Sequence, residues 1–252
     1  MGRLNGKIAI VTGAAQGIGA AYAIALAAEG TKVGLCDLSR PDAVADKIKQ
    51  SGGEAISCAC DVTDRAQVEV FVAETERRFG GIDILVNNAG LFANLALKPF
   101  FDLEGAEWDR VMAVNVRGAF ECARAVFPIM KRQGYGKIIN IASGTVFKGA
   151  PMMLHYVSSK AAVVGMTRAL AREAGDHGIR VNCLAPGLTM SEGVVANKDW
   201  AGAIVSNNIA SRCIKREGTT DDLTGALLFL ASPESDFMSG QTVVVDGGSV
   251  TH

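Results

Sequence analysis

Apolar residues along the chain gather in short continuous runs, separated by longer stretches in which apolar positions recur at helical spacing. Within Lys7-Ile8-Ala9-Ile10-Val11 the four residues after the lysine are apolar at consecutive positions, as are Ile84-Leu85-Val86. Such runs keep both faces of a strand out of water and mark a parallel sheet covered on both sides. On this pattern strands are predicted near residues 7–11, 32–36, 55–60, 83–87, 136–141, 180–185 and 242–245, and helices near 17–29, 41–51, 64–79, 107–131, 153–174 and 220–231. The alternation predicts an α/β fold: one domain over residues 1–252, a doubly wound Rossmann-type sheet of about seven parallel strands with helices on both faces. Segments 91–106 and 188–219 break the rhythm. Each follows a strand on the side where open α/β sheets take ligands, so both are expected to wall a substrate pocket, the second as a partly helical lid.

Composition narrows the partners. With a formal net charge of −1 and no basic block, the chain is expected to bind neither nucleic acid nor an anionic membrane. The opening Met1-Gly2-Arg3-Leu4-Asn5-Gly6 meets the first strand too soon to hold a signal peptide, and no apolar run approaches the ~20 residues of a membrane span. A cytoplasmic protein is expected. Cys36, Cys58, Cys60, Cys122, Cys183 and Cys213 form no C-x-x-C pair, and His155, His177 and His252 are scattered. No metal site is expected, and the cysteines read as small hydrophobes.

Two segments carry candidate chemistry. Thr12-Gly13-Ala14-Ala15-Gln16-Gly17-Ile18-Gly19 lies between the first strand and a helix that stops at Gly30. It reads either as a phosphate cradle at a positive helix end or as an ordinary glycine-rich turn, since G-x-x-x-G-x-G departs from the G-x-G-x-x-G dinucleotide fingerprint. Asp37 follows the second strand, where an acid accepts hydrogen bonds from an adenosine ribose. A 2′-phosphate there would meet repulsion of about 4 kcal/mol at ~4 Å and an effective dielectric of ~20. Ala14, Ala15 and Leu38 offer no compensating base; Arg40 does. The reading is therefore NAD, with a simple turn acid as the plain alternative for Asp37. Further on, Tyr156 and Lys160 stand four apart on a predicted helix and share a face. Ser143 ends the apolar run Ile138-Ile139-Asn140-Ile141-Ala142. A phenol titrates near ~10, and the adjacent ammonium is expected to favour its ionised form.

Thr12-Gly13-x-x-x-Gly17-Ile18-Gly19, Asp61-Val62, Asn87-Asn88-Ala89-Gly90, Asn115, Ser143, Tyr156-x-x-x-Lys160, Pro186-Gly187 and Asp246-Gly247-Gly248 together resemble the short-chain dehydrogenase/reductase family over nearly the whole chain. Pro186 through Thr189 and the ending Gly240 through His252 look similar to NAD-linked secondary alcohol dehydrogenases such as 1-phenylethanol dehydrogenase and pyridoxal 4-dehydrogenase. The resemblance implies that Gly13, Ala15, Gln16, Gly17, Ile18 and Gly19 cradle the cofactor phosphates and that Asp37 and Leu38 meet the ribose. Asp61 and Val62 would then hold the adenine, Asn88, Ala89 and Gly90 the middle of the cofactor, and Pro186, Gly187, Leu188 and Thr189 the nicotinamide. It further implies that Tyr156 is the general acid/base, that Ser143 binds the same substrate oxygen, that Lys160 lowers the Tyr156 pKa and holds the nicotinamide ribose, and that Asn115 anchors a relay water. Ser191 stands where the family often has Thr. A homotetramer is also implied, with helices 107–131 and 153–174 between subunits and the Gly240–His252 tail near another interface.

The candidate substrate residues are Leu95, Ser143, Thr145, Phe147, Met153, His155, Tyr156, Met190 and Val194. The surrounding segments are mostly apolar and show no convergent Arg or Lys, so a hydrophobic secondary alcohol or ketone is the expected small-molecule partner. The nearest alternative is a 3-oxoacyl-acyl-carrier-protein reductase docking its carrier on Lys131, Arg132 and Arg172. A sugar-nucleotide epimerase would need a larger C-terminal domain, and a non-catalytic dinucleotide-binding module would have no use for Asn115, Ser143, Tyr156 and Lys160 together.

Overall fold

The computed structural model describes residues 2–251; Met1, part of the opening stretch, and His252, the end of the tail assigned to an interface, lie outside the described residues. The strands are β1 (Ile8–Thr12), β2 (Lys32–Asp37), β3 (Ala55–Ala59), β4 (Ile84–Asn87), β5 (Gly136–Ile141), β6 (Ile179–Pro186) and β7 (Thr242–Val245). They form one seven-stranded sheet in the order β3-β2-β1-β4-β5-β6-β7, and every neighbouring pair is parallel. The chain winds outward from β1 to β3 and then outward the other way from β4 to β7. The turn-round between β1 and β4 opens a crevice at the carboxyl ends of the strands.

Alternation along each strand divides the core in two. Ala9 and Val11 of β1 face one apolar layer with Tyr22 and Leu26 of α1 (Gly17–Ala28) and Leu227 of α10 (Asp221–Ala231). Ile10 faces the opposite layer with Phe71 of α3 (Arg65–Phe79) and Val126 and Met130 of α5 (Ala119–Gln133). Both faces are therefore covered, as the continuous apolar runs require. Helix ends follow local chemistry: Asp64 caps α3 by accepting from the Ala66 and Gln67 N–H groups, and Gly80 closes it in the left-handed region at φ 94°. The remaining helices before the lid are α2 (Asp42–Gln50), α4 (Gly105–Met112), α6 (Thr145–Lys148) and α7 (Leu154–Ala174).

The helix predicted over 107–131 is not continuous. It starts at Gly105 behind a capping box of Glu104 and Glu107, runs to Met112, passes through a π-helical turn at Ala113–Gly118 and continues as α5. Segment 188–219 is partly helical, with α8 (Glu192–Ala196) and α9 (Ala203–Ser211). Among the described residues no helix is long and apolar enough to cross a membrane.

Three buried polar side chains form a ladder from the sheet to the helix beside it. The Asn87 amide donates to Asn140 Oδ1 at 2.9 Å, and the Asn140 amide donates to Thr167 Oγ1 at 2.9 Å, linking β4, β5 and α7. Asn140→Ala removes an acceptor and a donor from a dry interior, and should lower stability by about 2 kcal/mol in chemical unfolding. A change below about 0.5 kcal/mol would show that this ladder does not hold β5 to α7.

Candidate active site

The turn after β1 brings backbone into contact with backbone. Gly13 and Gly17 have φ of 65° and 59°, left-handed values that suit glycine. A Cβ on Gly13 would lie 2.7 Å from Ala89 Cα, and one on Gly19 only 2.0 Å from the Gly13 carbonyl oxygen. Thr12 Oγ1 accepts from the N–H groups of Asn88 and Ala89 at 3.1 and 3.0 Å. The Asn88 amide donates to the carbonyls of Thr12 and Gly13, both at 3.0 Å. These bonds hold the ends of β1 and β4 together at the turn-round. The Gly17 N–H at the start of α1 donates to Glu192 Oε2 at 2.9 Å. A carboxylate of the chain itself thus stands where the positive end of α1 would receive a phosphate, so the cradle suits an anionic cofactor. Asp37, at the end of β2, accepts from the Ala15 and Leu38 N–H groups at 3.0 and 2.7 Å, which fixes its carboxylate beside the same turn.

The second half of the site is built on β5 and α7. Ser143 follows the end of β5, and its Oγ accepts from the Thr145 N–H at 3.2 Å and the Thr145 hydroxyl at 3.0 Å. Tyr156 and Lys160 lie on one face of α7 and are both buried, 5% exposed each. Burial pushes the Tyr156 phenol up to about 12, with a hydrogen bond to Ser143 opposing it. Burial also pulls Lys160 down to about 8. The ammonium donates to the Ile141 carbonyl at 2.8 Å and lies 5.8 Å from the Tyr156 ring centre. Loss of water around the phenol is the larger effect on its pKa, and the Ser143 hydrogen bond is the smaller, opposing one. Asn115, in the π-turn, accepts from the Leu91 N–H at 2.7 Å and donates to Ser159 Oγ at 3.0 Å. Gly90 lies against both groups, since a Cβ there would come 3.2 Å from Asn115 Oδ1 and 3.3 Å from Lys160 Nζ.

One cavity of about 1080 Å³ joins the two halves. Along its cofactor half lie Gly13, Gln16, Gly17, Ile18 and Gly19, then Asp37 and Leu38, then Asp61 and Val62, and then Asn88, Ala89 and Gly90. Pro186, Gly187, Leu188 and Thr189 complete the wall with Ser143, Tyr156 and Lys160. Ala15 and Asn115 stand behind it, bonded to Asp37 and Leu91.

Of the predicted substrate residues, Thr145, Met153 and Val194 line the cavity, and Leu95, Phe147, His155 and Met190 do not. Leu95 and Met190 pack behind Trp200 and Val194. Phe147 packs on Ala142 and Val163, and His155 is 2% exposed, its pKa lowered by burial against the pull of Glu107. Phe92 stacks between Tyr156 and Trp200 at ring separations of 5.0 and 4.6 Å. Asn197 and Trp200 both donate to the Ala93 carbonyl, at 2.6 and 3.3 Å, and so close the lid on the 91–106 segment. Sequence reasoning missed Glu192 and Lys148. Lys148 and Arg110 both line the cavity, although the segments expected to form the pocket read as mostly apolar with no convergent Arg or Lys.

A family model described as Enoyl-(Acyl carrier protein) reductase matches residues 13–250. The chain is 39% identical over 248 residues to the short-chain reductase protein NovJ of Streptomyces niveus, covering 96% of this chain and 93% of that protein. It is 37% identical over 246 residues to a 3-oxoacyl-[acyl-carrier-protein] reductase of Staphylococcus epidermidis, covering 96% and 98%. A solved short-chain type dehydrogenase/reductase from Mycobacterium marinum matches with a TM-score of 0.91 at 36% identity, over 99% of this chain and 97% of that one.

Because the Glu192 carboxylate occupies the N–H that a phosphate would use, Glu192→Gln should bind NAD about threefold more tightly or better, by relief of like-charge repulsion. Calorimetric titration checks this; weaker binding would mean that Glu192 assists the cofactor rather than competing with it.

Proposed function

The chain belongs to the short-chain dehydrogenase/reductase family, and from that premise we propose that it is an NAD-dependent oxidoreductase interconverting a secondary alcohol with an apolar body and the matching ketone. The observation that carries this reading is the meeting of the Tyr156 phenol and the Ser143 hydroxyl at the wall of a cavity continuous with the glycine cradle. Bound nicotinamide would supply the hydride acceptor in oxidation and the donor in reduction. Tyr156 takes the carbinol proton in one direction and returns it in the other. Ser143 donates to the same oxygen and steadies charge developing on it. Its own orientation is supported by Thr145. Lys160 binds the nicotinamide ribose in this reading, and Asn115 holds the backbone of Leu91 at the rim.

The preference for NAD rests on Asp37, held by two backbone N–H groups, with no arginine or lysine bonded to it among the described residues. Arg40, the base that could have received a 2′-phosphate, donates to the Ser57 carbonyl at 3.1 Å and pairs with Asp42 at 3.4 Å. The carrier-protein reductase reading keeps the support of the similarity to the Staphylococcus epidermidis enzyme and of the family model's description. Its docking surface is weakened because Arg132 is paired with Glu76. We further infer a cytoplasmic homotetramer in which α5 and α7 pack between subunits; light scattering of a stable monomer at micromolar concentration would count against the assembly.

Tyr156→Phe should abolish turnover while NAD still binds, since the ring keeps its packing and only the proton-bearing oxygen is lost. A variant retaining a tenth of wild-type kcat would remove Tyr156 from the reaction. The wild-type protein should favour NAD over NADP by at least about a hundredfold in kcat/KM, and Asp37→Ala should narrow that gap. Equal use of the two cofactors would revive the carrier-protein reductase.

The pH dependence follows from the raised phenol, which is protonated at neutral pH and ionises towards about 12. Alcohol oxidation, which needs the phenolate, should rise with pH, and ketone reduction, which needs the phenol, should fall. The apparent pKa read from either profile belongs to the Tyr156–Lys160 pair. Profiles that are flat from neutrality upward would show that neither step uses this proton.

A further inference from the structure

The substrate end of the cavity is not uniformly apolar. Beyond Phe92, Met153, Val194 and Trp200, its wall includes Lys148, Ser211 and Ser249. These come from three separate places: the end of α6, the end of α9 and the tail after β7. The Lys148 ammonium donates to the hydroxyls of Ser211, at 3.1 Å, and Ser249, and those two hydroxyls bond each other. Among the described residues Lys148 has no carboxylate within 4.0 Å. An ammonium satisfied only by neutral hydroxyls keeps its charge uncompensated.

Charge around this corner points the same way. Asp246 is the nearby anion, and its Oδ1 is committed to the N–H groups of Gly248 and Ser249 at 2.9 and 3.0 Å. Arg212 lies behind, 5% exposed. Its guanidinium donates to the carbonyls of Arg216 and Leu188, each at 2.6 Å, and to no carboxylate among the described residues. Two cations thus face one anion. Partial burial draws the Lys148 pKa down, while Asp246 draws it up.

Lys148 ends the short helix α6, which begins two positions after Ser143, and both residues line the same cavity. We propose, on the footing of the oxidoreductase reading above, that the substrate carries a carboxylate on the far side of its apolar body from the carbinol carbon, received by Lys148, which Ser211 and Ser249 hold in place. An ammonium with two of its three donors spent on these hydroxyls has one left for a carboxylate oxygen, and Phe92, Met153, Val194 and Trp200 on the wall of the same cavity suit a ring or short alkyl spacer. The substrate class is then a hydroxy acid or oxo acid, amphipathic rather than simply hydrophobic.

The test uses 4-(1-hydroxyethyl)benzoate and its neutral methyl ester, with the full-length protein and NAD, followed by NADH absorbance. The acid should exceed the ester by at least about tenfold in kcat/KM, the size of a hydrogen bond to a charged group. Lys148→Met should bring the ratio near one through a higher KM for the acid, Lys148→Arg should keep it, and Lys148→Glu should invert it. If Lys148 only staples α9 to the tail, Lys148→Met will lower both substrates together and leave the ratio unchanged, which overturns the proposal. Ester oxidised as well as acid by wild type also overturns it while leaving the oxidoreductase reading intact. If neither alcohol is oxidised, that reading fails, and calorimetric binding of 4-acetylbenzoate against its methyl ester decides the subsite. Acid binding about tenfold tighter and lost in Lys148→Met upholds it; equal binding of acid and ester rejects it.

Discussion

A phenol and an ammonium are buried side by side on α7, and much of the surrounding architecture answers the demands of that burial. Removing an ammonium from water costs several kcal/mol unless polar partners replace the water. Lys160 finds the Ile141 carbonyl at the end of β5, and the lowered pKa records what that single bond leaves uncompensated. Space for the ammonium exists because residue 90 has no side chain. The backbone beside it is held by Asn115, which is in turn held by Ser159, one position before Lys160. The π-helical turn at Ala113–Gly118 carries Asn115. Such a turn is an expense in an otherwise regular helix and is found mostly where function requires it.

The parallel sheet explains why groups so distant in sequence meet. With every strand pointing the same way, the segments after β1, β4, β5 and β6 all emerge at one edge. These are the glycine turn, the Asn88–Gly90 stretch, Ser143 and the Pro186–Thr189 stretch. The Thr12 and Asn88 hydrogen bonds lock the first two together across the turn-round. The lid then closes over the crevice by aromatic contact and by two donors on one carbonyl, that of Ala93. Glu192, at the head of the lid, reaches the glycine turn, so the two halves of the cavity are in contact through a residue whose charge opposes a phosphate.

Strands and most helices were legible because burial on both faces leaves continuous apolar runs and because caps such as Asp64 and Gly80 mark ends. The glycine turn and the Tyr156-x-x-x-Lys160 face were legible because close approach and helical spacing each demand particular residues. The break in the 107–131 helix left no such trace: Ala113-Val114-Asn115-Val116 continues a helical pattern, and only the tertiary need to aim Asn115 selects the π-turn. His155 and Phe147 share the neighbourhood of Ser143 and Tyr156 in sequence but point into packing on other sides. Lys148 is exposed and reads as a solvated helix-end lysine; its bonds to Ser211 at the end of α9 and Ser249 in the tail are a juxtaposition that no local spacing encodes.

The central claim is that Tyr156 is a buried acid, protonated in the free protein, whose proton is the one exchanged with substrate. Tyrosine ring-carbon NMR of protein labelled at that position, compared with Tyr156→Phe to assign the signal, measures its ionisation directly. The account predicts no ionisation through pH 10 in the free protein, consistent with a pKa pushed up to about 12, and a lower pKa once NAD adds positive charge beside the ring. Ionisation below 10 in the free protein, with no change on adding NAD, would contradict it.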